Sequence, residues 1–230
     1  MTWRADPQNL PPELGVSWPG TGYAMLNGGN FHDHDEIFDF VRKQDITGLA
    51  VVAGDKHSFW AGHLTKGVAR GSYDPVGVEF VTGAVSQQGL AEVAEQGFTK
   101  DLAIKPLYVL DSPQGRNGRV LNMTVLHGVR SSLAYAKDRD LAAAKRLSNP
   151  ELSPHLKFVD FGGYGYSVVT AGAQALETEF VCVQRPLERS AAADGGPIVY
   201  RVRHRVARWD AGEKPQLTRT FAEGDIDLCT

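Results

Sequence analysis

Apolar positions early in the chain first recur at helical spacing and then close up into short continuous runs. Ile37, Phe38 and Val41 stand at i, i+1 and i+4, which predicts a helix capped by Asp33 or Asp35 and ended before Gly48. Leu49–Ala53 is apolar at every position and bounded by Gly48 and Gly54. That pattern predicts a strand buried on both faces, in a sheet covered by helices on both sides. Val76–Thr82 reads as a second buried strand, Leu90–Gln96 as a short helix, and Pro106–Leu110 and Val120–Leu126 as further strands around a turn-rich loop, Asp111–Arg119. Val129–Leu147 is rich in Ala, Leu, Lys and Arg and is stopped by Pro150, so it reads as one helix.

The last third changes period. Phe158–Phe161, Tyr164–Thr170, Leu176–Gln184 and Ile198–Trp209 are short runs separated by Gly, Pro or Asp-Gly signals, as antiparallel strands are. In the last of them Ile198, Tyr200, Val202, His204 and Val206 share one face, and Val199, Arg201, Arg203, Arg205 and Ala207 share the other. The order of elements predicts an α/β chain with α+β character at its C-terminus. No repeat or linker divides it. Residues 1–30, rich in Pro, Gly and Asn, show neither period and read as a loop.

Composition narrows the function classes. Of 230 residues, 42% are hydrophobic and 22% charged, so the bulk of the chain can bury a core and is not disordered. The net charge is −3, from 24 Lys and Arg against 27 Asp and Glu, which argues against a nucleic-acid binder driven by bulk charge. Two cysteines build neither a disulfide framework nor a Cys-rich zinc module. The longest apolar stretch, Gly48–Gly54, falls far short of the roughly 20 residues a membrane helix needs. The opening Met1-Thr2-Trp3-Arg4-Ala5-Asp6-Pro7 has no apolar run after a basic start, so no export signal is expected in these residues.

Chemistry concentrates just after the first apolar run. Asp55 offers a hard anionic oxygen and His57 a neutral imidazole nitrogen, two residues apart at a strand end behind Gly54, a pair suited to a divalent or trivalent metal. A metal there would polarise a phosphoryl oxygen and lower the pKa of a bound water. Trp60 is placed either to line a cleft beside His57 or to lie buried beneath it. His127 and Arg130, near a predicted helix start, are candidates to face an anionic substrate. His32, Asp33, His34, Asp35 and Glu36 are dense in ligand-type side chains. Neighbours on a helix diverge, however, and an acidic helix N-terminus accounts for them. Arg201, Arg203 and Arg205 form a basic stripe that reads first as a charged edge and second as a polyanion site. His63, His155 and Cys182 read as structural, and Cys229 as exposed.

Several blocks in order resemble a known family. Ile46–Gly62, which carries Gly54-Asp55-Lys56-His57-Ser58, resembles the Gly-Asp-x-His-Ser block of the PhoD-like phosphatases, the alkaline phosphatase D family. Pro75–Thr82 resembles the block that follows it. Asn149-Pro150, Ser153–Asp160 and Gly163-Tyr164-Gly165-Tyr166 resemble the late block, and Trp3–Pro11 and Trp18–Tyr23 also look familial. The resemblance implies a calcineurin-like metallophosphoesterase sandwich of mixed sheets flanked by helices. It also implies hydrolysis of phosphate mono- and diesters at a multi-metal site of iron with calcium. Asp55 and His57 would be metal ligands there, and a metal-bound hydroxide would be the attacking group. Nucleic acid would enter only as a substrate. Family members are usually periplasmic or secreted.

The family also carries an N-terminal domain and an earlier catalytic half, which supply carboxylate, tyrosine and asparagine ligands. No such set precedes Asp55. Residues 1–230 are therefore expected to be the C-terminal part of the domain, incomplete as a catalyst, dependent on the absent half and exposing apolar surface that it would cover. The alternatives are a non-catalytic module that binds phosphate or a partner, and a truncated reading frame with no independent activity.

Overall fold

The computed structural model describes residues 31–69, 72–89, 91, 92, 96, 105–110, 120–185, 189, 191, 193 and 196–230. The loops expected over residues 1–30 and Asp111–Arg119 lie outside them. Of the helix expected over Leu90–Gln96, only Ala91, Glu92 and Gln96 are described, and all three are helical.

Helix α1 (Phe31–Lys43) precedes β1 (Ala50–Ala53), β2 (Phe59–Ala69) and β3 (Ser72–Val81). Three helices follow, α2 (Val120–His127), α3 (Val129–Asp138) and α4 (Leu141–Lys145), and then strands β4 (Leu156–Asp160), β5 (Tyr164–Ala171), β6 (Ala175–Val183), β7 (Ile198–Ala207) and β8 (Leu217–Gly224). The strands form two sheets. One is mixed, in the order β1-β3-β2-β4 with β1 parallel to β3. The other is antiparallel, in the order β5-β6-β7-β8.

The sheets pack face to face because β2 alternates two apolar faces. Phe59 and Ala61 point to the antiparallel sheet, joining Phe80, Phe158, Phe180, Tyr200 and Val202 in one cluster. Ring pairs tie the layers, with Phe59 and Phe180 centroids 5.1 Å apart and Phe158 and Tyr200 5.7 Å apart. Trp60 points the other way, with Val81, Val159 and Phe161, onto Leu121 and Val125 of α2. The layers are thus helices, mixed sheet, antiparallel sheet. The expected sandwich with mixed pairing and late antiparallel strands is what the chain adopts.

Several expectations are corrected. The run ending at Ala53 is a strand, but β1 is the margin of its sheet and leaves Val51 36% and Val52 57% exposed. Ile37, Phe40 and Ile46 are exposed on the segment before it. Val120–His127 is a helix, not a strand. Its residues Val120–Val125 are all buried, so it shows no polar face by which to read its period. Lys105–Leu107 is a 3-10 turn where a strand was expected. The single helix over Val129–Leu147 is two, because Arg139 takes φ 57 and Asp140 caps α4 through the Ala143 amide, 2.9 Å away. Asp33 and Asp35 lie inside α1 rather than at its cap. Cys229 is buried, its carbonyl accepting from the Val159 amide at 3.0 Å.

The basic stripe on β7 faces a row of acids on β6. Arg203 meets Glu179 at 3.2 Å and Arg205 meets Glu177 at 3.5 Å. Cross-strand pairing accounts for these two arginines without a polyanion.

Candidate functional site

β1 delivers the chain into a tight turn, Gly54-Asp55-Lys56-His57, closed by a 3.2 Å bond from the His57 amide to the Gly54 carbonyl. His57 takes φ 48, a left-handed conformation uncommon for a residue with a side chain. Asp55 is exposed at the tip and His57 half-buried. The ring Nδ1 of His57 lies 3.0 Å from the Gln88 carbonyl, which only accepts. Nδ1 therefore carries a proton, and in the neutral ring the lone pair is on Nε2. A metal-binding histidine is commonly oriented by this kind of bond.

Below the turn, Ser58 is fully buried. Its hydroxyl donates to the Lys56 carbonyl at 2.9 Å and accepts from the Trp60 indole N–H at 2.7 Å. Trp60 is completely buried, edge-on to Phe161 with centroids 4.8 Å apart, so it supports the turn from beneath and does not line a cleft. The Lys56 ammonium stands 4.9 Å over the Trp60 ring. Burial pulls the Lys56 pKa down, while the buried Glu79 carboxylate pulls it back up. Replacing Trp60 with Phe keeps most of the apolar contact but removes the Ser58 bond. The expected cost is about 1–2 kcal/mol of unfolding free energy in urea titrations. A Trp60→Phe protein as stable as the parent would show that this bond does not hold the turn.

Around the site runs a loop pinned at both ends. The Thr82 amide donates to the Ala53 carbonyl at 2.8 Å, and the Ala91 amide donates to the Phe161 carbonyl at 3.1 Å. Gly89 donates to the Tyr164 hydroxyl at 3.0 Å, and that hydroxyl donates to Glu92. Glu92 also pairs with Arg185 at 2.6 Å. Sequence reasoning missed Ser58, Gln88, Tyr164, Glu92 and Arg185 as parts of the site. Ser58 and Tyr164 stood inside the resembling blocks. Gln88, which acts through its backbone carbonyl, left no side-chain signal.

The second candidate pair sits elsewhere. His127 lies next to the helix start expected at Val129, but it also ends α2, at the negative end of that helix's dipole. Its ring lies 3.0 Å from the Ser148 hydroxyl and 3.1 Å from the Thr230 carbonyl, so both nitrogens are engaged, and burial lowers its pKa. Arg130 is exposed in the first turn of α3. The contacts of His127 face the C-terminal segment, not the Gly54–His57 turn.

Asp55 and His57 fit two positions of a metal site in donor chemistry, a carboxylate oxygen beside an imidazole whose free nitrogen is set by its other bond. Among the described residues no group of three His, Cys, Asp or Glu side chains is placed to hold a metal. No helix among them is long and apolar enough to cross a membrane.

The sequence pattern that defines the PhoD-like phosphatases matches residues 23–180, more than half of the chain. No curated protein matches it. A solved structure described as "Structure of PhoD" aligns at 14% identity and a TM-score of 0.43, covering 84% of this chain. This chain spans 28% of that one.

Proposed function

The chain belongs to the PhoD-like phosphatases, and from that premise we propose that it contributes to the hydrolysis of phosphate esters, with Asp55 and His57 as metal ligands. The observation that carries this reading is the bond from His57 Nδ1 to the Gln88 carbonyl, which in the neutral ring leaves Nε2 to bind a cation, two residues from Asp55 on the same turn. When bound, iron, calcium or a similar cation would offset charge on the phosphoryl oxygens and make water more acidic. The protein's own part is to hold. The turn hydrogen bond and Ser58 fix the backbone of the motif, and the Gln88 carbonyl fixes the imidazole. Exposure of Asp55 leaves the tip of the turn open to a phosphate mono- or diester.

Two protein ligands do not close a metal site, since even zinc usually takes three beside water. We therefore read the chain as supplying part of the site, with the remaining ligands coming from outside its described residues. A second reading, a non-catalytic module that binds phosphate or a partner, is favoured by the absence of a third ligand group among those residues.

Metal content separates the two. Purified protein is expected to retain near-stoichiometric iron or calcium by elemental analysis, and Asp55→Ala is expected to lose it. If wild type and Asp55→Ala are equally metal-free, and neither hydrolyses bis-p-nitrophenyl phosphate, the hydrolase reading of this chain falls.

A further inference from the structure

We propose that Tyr164, backed by Glu92 and Arg185, is a positioning residue for His57. Three elements meet here. Tyr164 opens β5, Glu92 is helical at the end of the loop after β3, and Arg185 follows β6. Their bonds converge on Glu92. Arg185 Nε meets the Glu92 carboxylate at 2.6 Å, Glu92 accepts from the Tyr164 hydroxyl, and that hydroxyl accepts from the Gly89 amide at 3.0 Å. Drawing the phenol proton toward Glu92 makes the phenol oxygen a stronger acceptor for Gly89, so these two bonds strengthen each other, while Arg185 holds the carboxylate in place. Burial and the Glu92 bond push the Tyr164 pKa up to about 12, which keeps the proton on the phenol at neutral pH.

Gly89 follows Gln88, whose carbonyl receives the His57 Nδ1 proton at 3.0 Å. Holding the Gly89 amide fixes the peptide unit that the Gln88 carbonyl belongs to. The two residues flank the same piece of backbone. A Cβ built on Gly89 would lie 3.6 Å from both the His57 carbonyl and the Tyr164 hydroxyl. Tyr164 itself is anchored on the sheet through its pairing with Val183 of β6, and its parallel bridge to Ala84 and the Gly165 amide bond to the Ala84 carbonyl at 2.9 Å tie the loop to it. The sheet thus sets the loop carbonyl, and the loop carbonyl sets which ring nitrogen of His57 is free.

Only the consequence for metal affinity rests on reading His57 as a ligand, and two of the three readouts do not need a metal. Tyr164→Phe is close in shape and is compared with Glu92→Gln, whose amide oxygen still accepts from the phenol. At alkaline pH, where an imidazole is neutral and its tautomer can be read, long-range nitrogen–proton spectra are expected to show the His57 proton on Nδ1 in wild type and Glu92→Gln, and mixed tautomers in Tyr164→Phe. Exchange of the Gly89 amide is expected to speed up roughly five- to ten-fold in Tyr164→Phe only. Affinity for Mn2+, titrated by calorimetry, is expected to fall about ten-fold or more in the same variant. Tyr164→Phe with a wild-type His57 tautomer and a protected Gly89 amide would overturn the inference. Wild-type protein that takes up no Mn2+ counts against the metal reading alone, and the tautomer and exchange results then decide the role of Tyr164.

Discussion

Acid should unfold this protein well before its carboxylates protonate. His204 is fully buried between the rings of Phe158 and Phe180, each with its centroid 5.6 Å from the imidazole, and neither ring nitrogen has a hydrogen-bond partner among the described residues. Burial first, and Arg219 second, push its pKa down to about 3. His63 is buried as well, with Nε2 3.1 Å from the Pro215 carbonyl and Nδ1 3.1 Å from the Tyr73 hydroxyl. Burial, aided by Lys157, takes its pKa down to about 4. The unfolded chain binds these protons near pH 6.5 and the folded one does not, so the unfolded state holds more protons throughout the interval. Stability is therefore complete above about pH 6.5 and falls as the pH drops toward the folded values. By pH 5 each histidine should have cost about 2 kcal/mol, a large share of the roughly 5–15 kcal/mol that holds a domain together. Urea unfolding at several pH values measures the slope. His204→Phe places a third ring in the same aromatic pocket and should remove roughly half of that slope. Parallel pH curves for parent and variant would show that His204 does not carry the effect.

Asp160→Ala should be the most damaging single truncation among the residues that join the layers. The carboxylate is fully buried at the end of β4 and accepts from the Tyr200 hydroxyl at 2.8 Å, the Gly162 amide at 3.1 Å and the Asn122 amide group at 3.4 Å. Asn122 in turn accepts from the Phe161 amide at 2.9 Å. One side chain therefore links α2, the mixed sheet and the antiparallel sheet. Truncation strands several buried donors at once, at an expected cost of about 3–5 kcal/mol in denaturant titrations. Asp160→Asn keeps an acceptor and should cost less, and combining it with Tyr200→Phe should cost less than the sum of the two changes. A loss below about 1 kcal/mol for Asp160→Ala would mean that water takes over the stranded donors.

The elements that the sequence reveals are those whose surroundings match their period. On β7, Tyr200, Val202, His204 and Val206 alternate into the core as the pattern requires, because one face is covered and the other meets solvent. The pattern fails where both faces share one environment. β2 buries Phe59 and Ala61 on one side and Trp60 on the other, so its alternation vanishes into a continuous apolar run behind the Asp55–His57 motif. α2 is buried all round and mimics a strand. β8 is an edge strand that buries only Leu217, which leaves no apolar rhythm to read. β1 is the opposite case, an apolar strand expected inside a sheet and found at its margin. Its neighbours, unlike its composition, are not written locally. For the proposed site, Asp55 and His57 stand out in the sequence because the chemistry they offer is in their side chains. The carbonyl and amide of Gln88 and Gly89, which connect His57 to Tyr164, belong to every residue alike.

Cys182 and Cys229 are both thiols rather than a disulfide, and both are shut away from solvent. A thiol reagent can reach either one only through an opening of the fold, and the two openings differ in extent. Cys182 lies between the sheets in the aromatic core, so its modification requires the layers to part. Cys229 lies on the closing segment, hydrogen-bonded through its carbonyl to Val159 and through its amide to Ile226, so peeling that segment from β4 is enough. The pair makes labelling rate a two-channel clock, with one cysteine timing the lifting of the chain's end and the other the separation of its sheets.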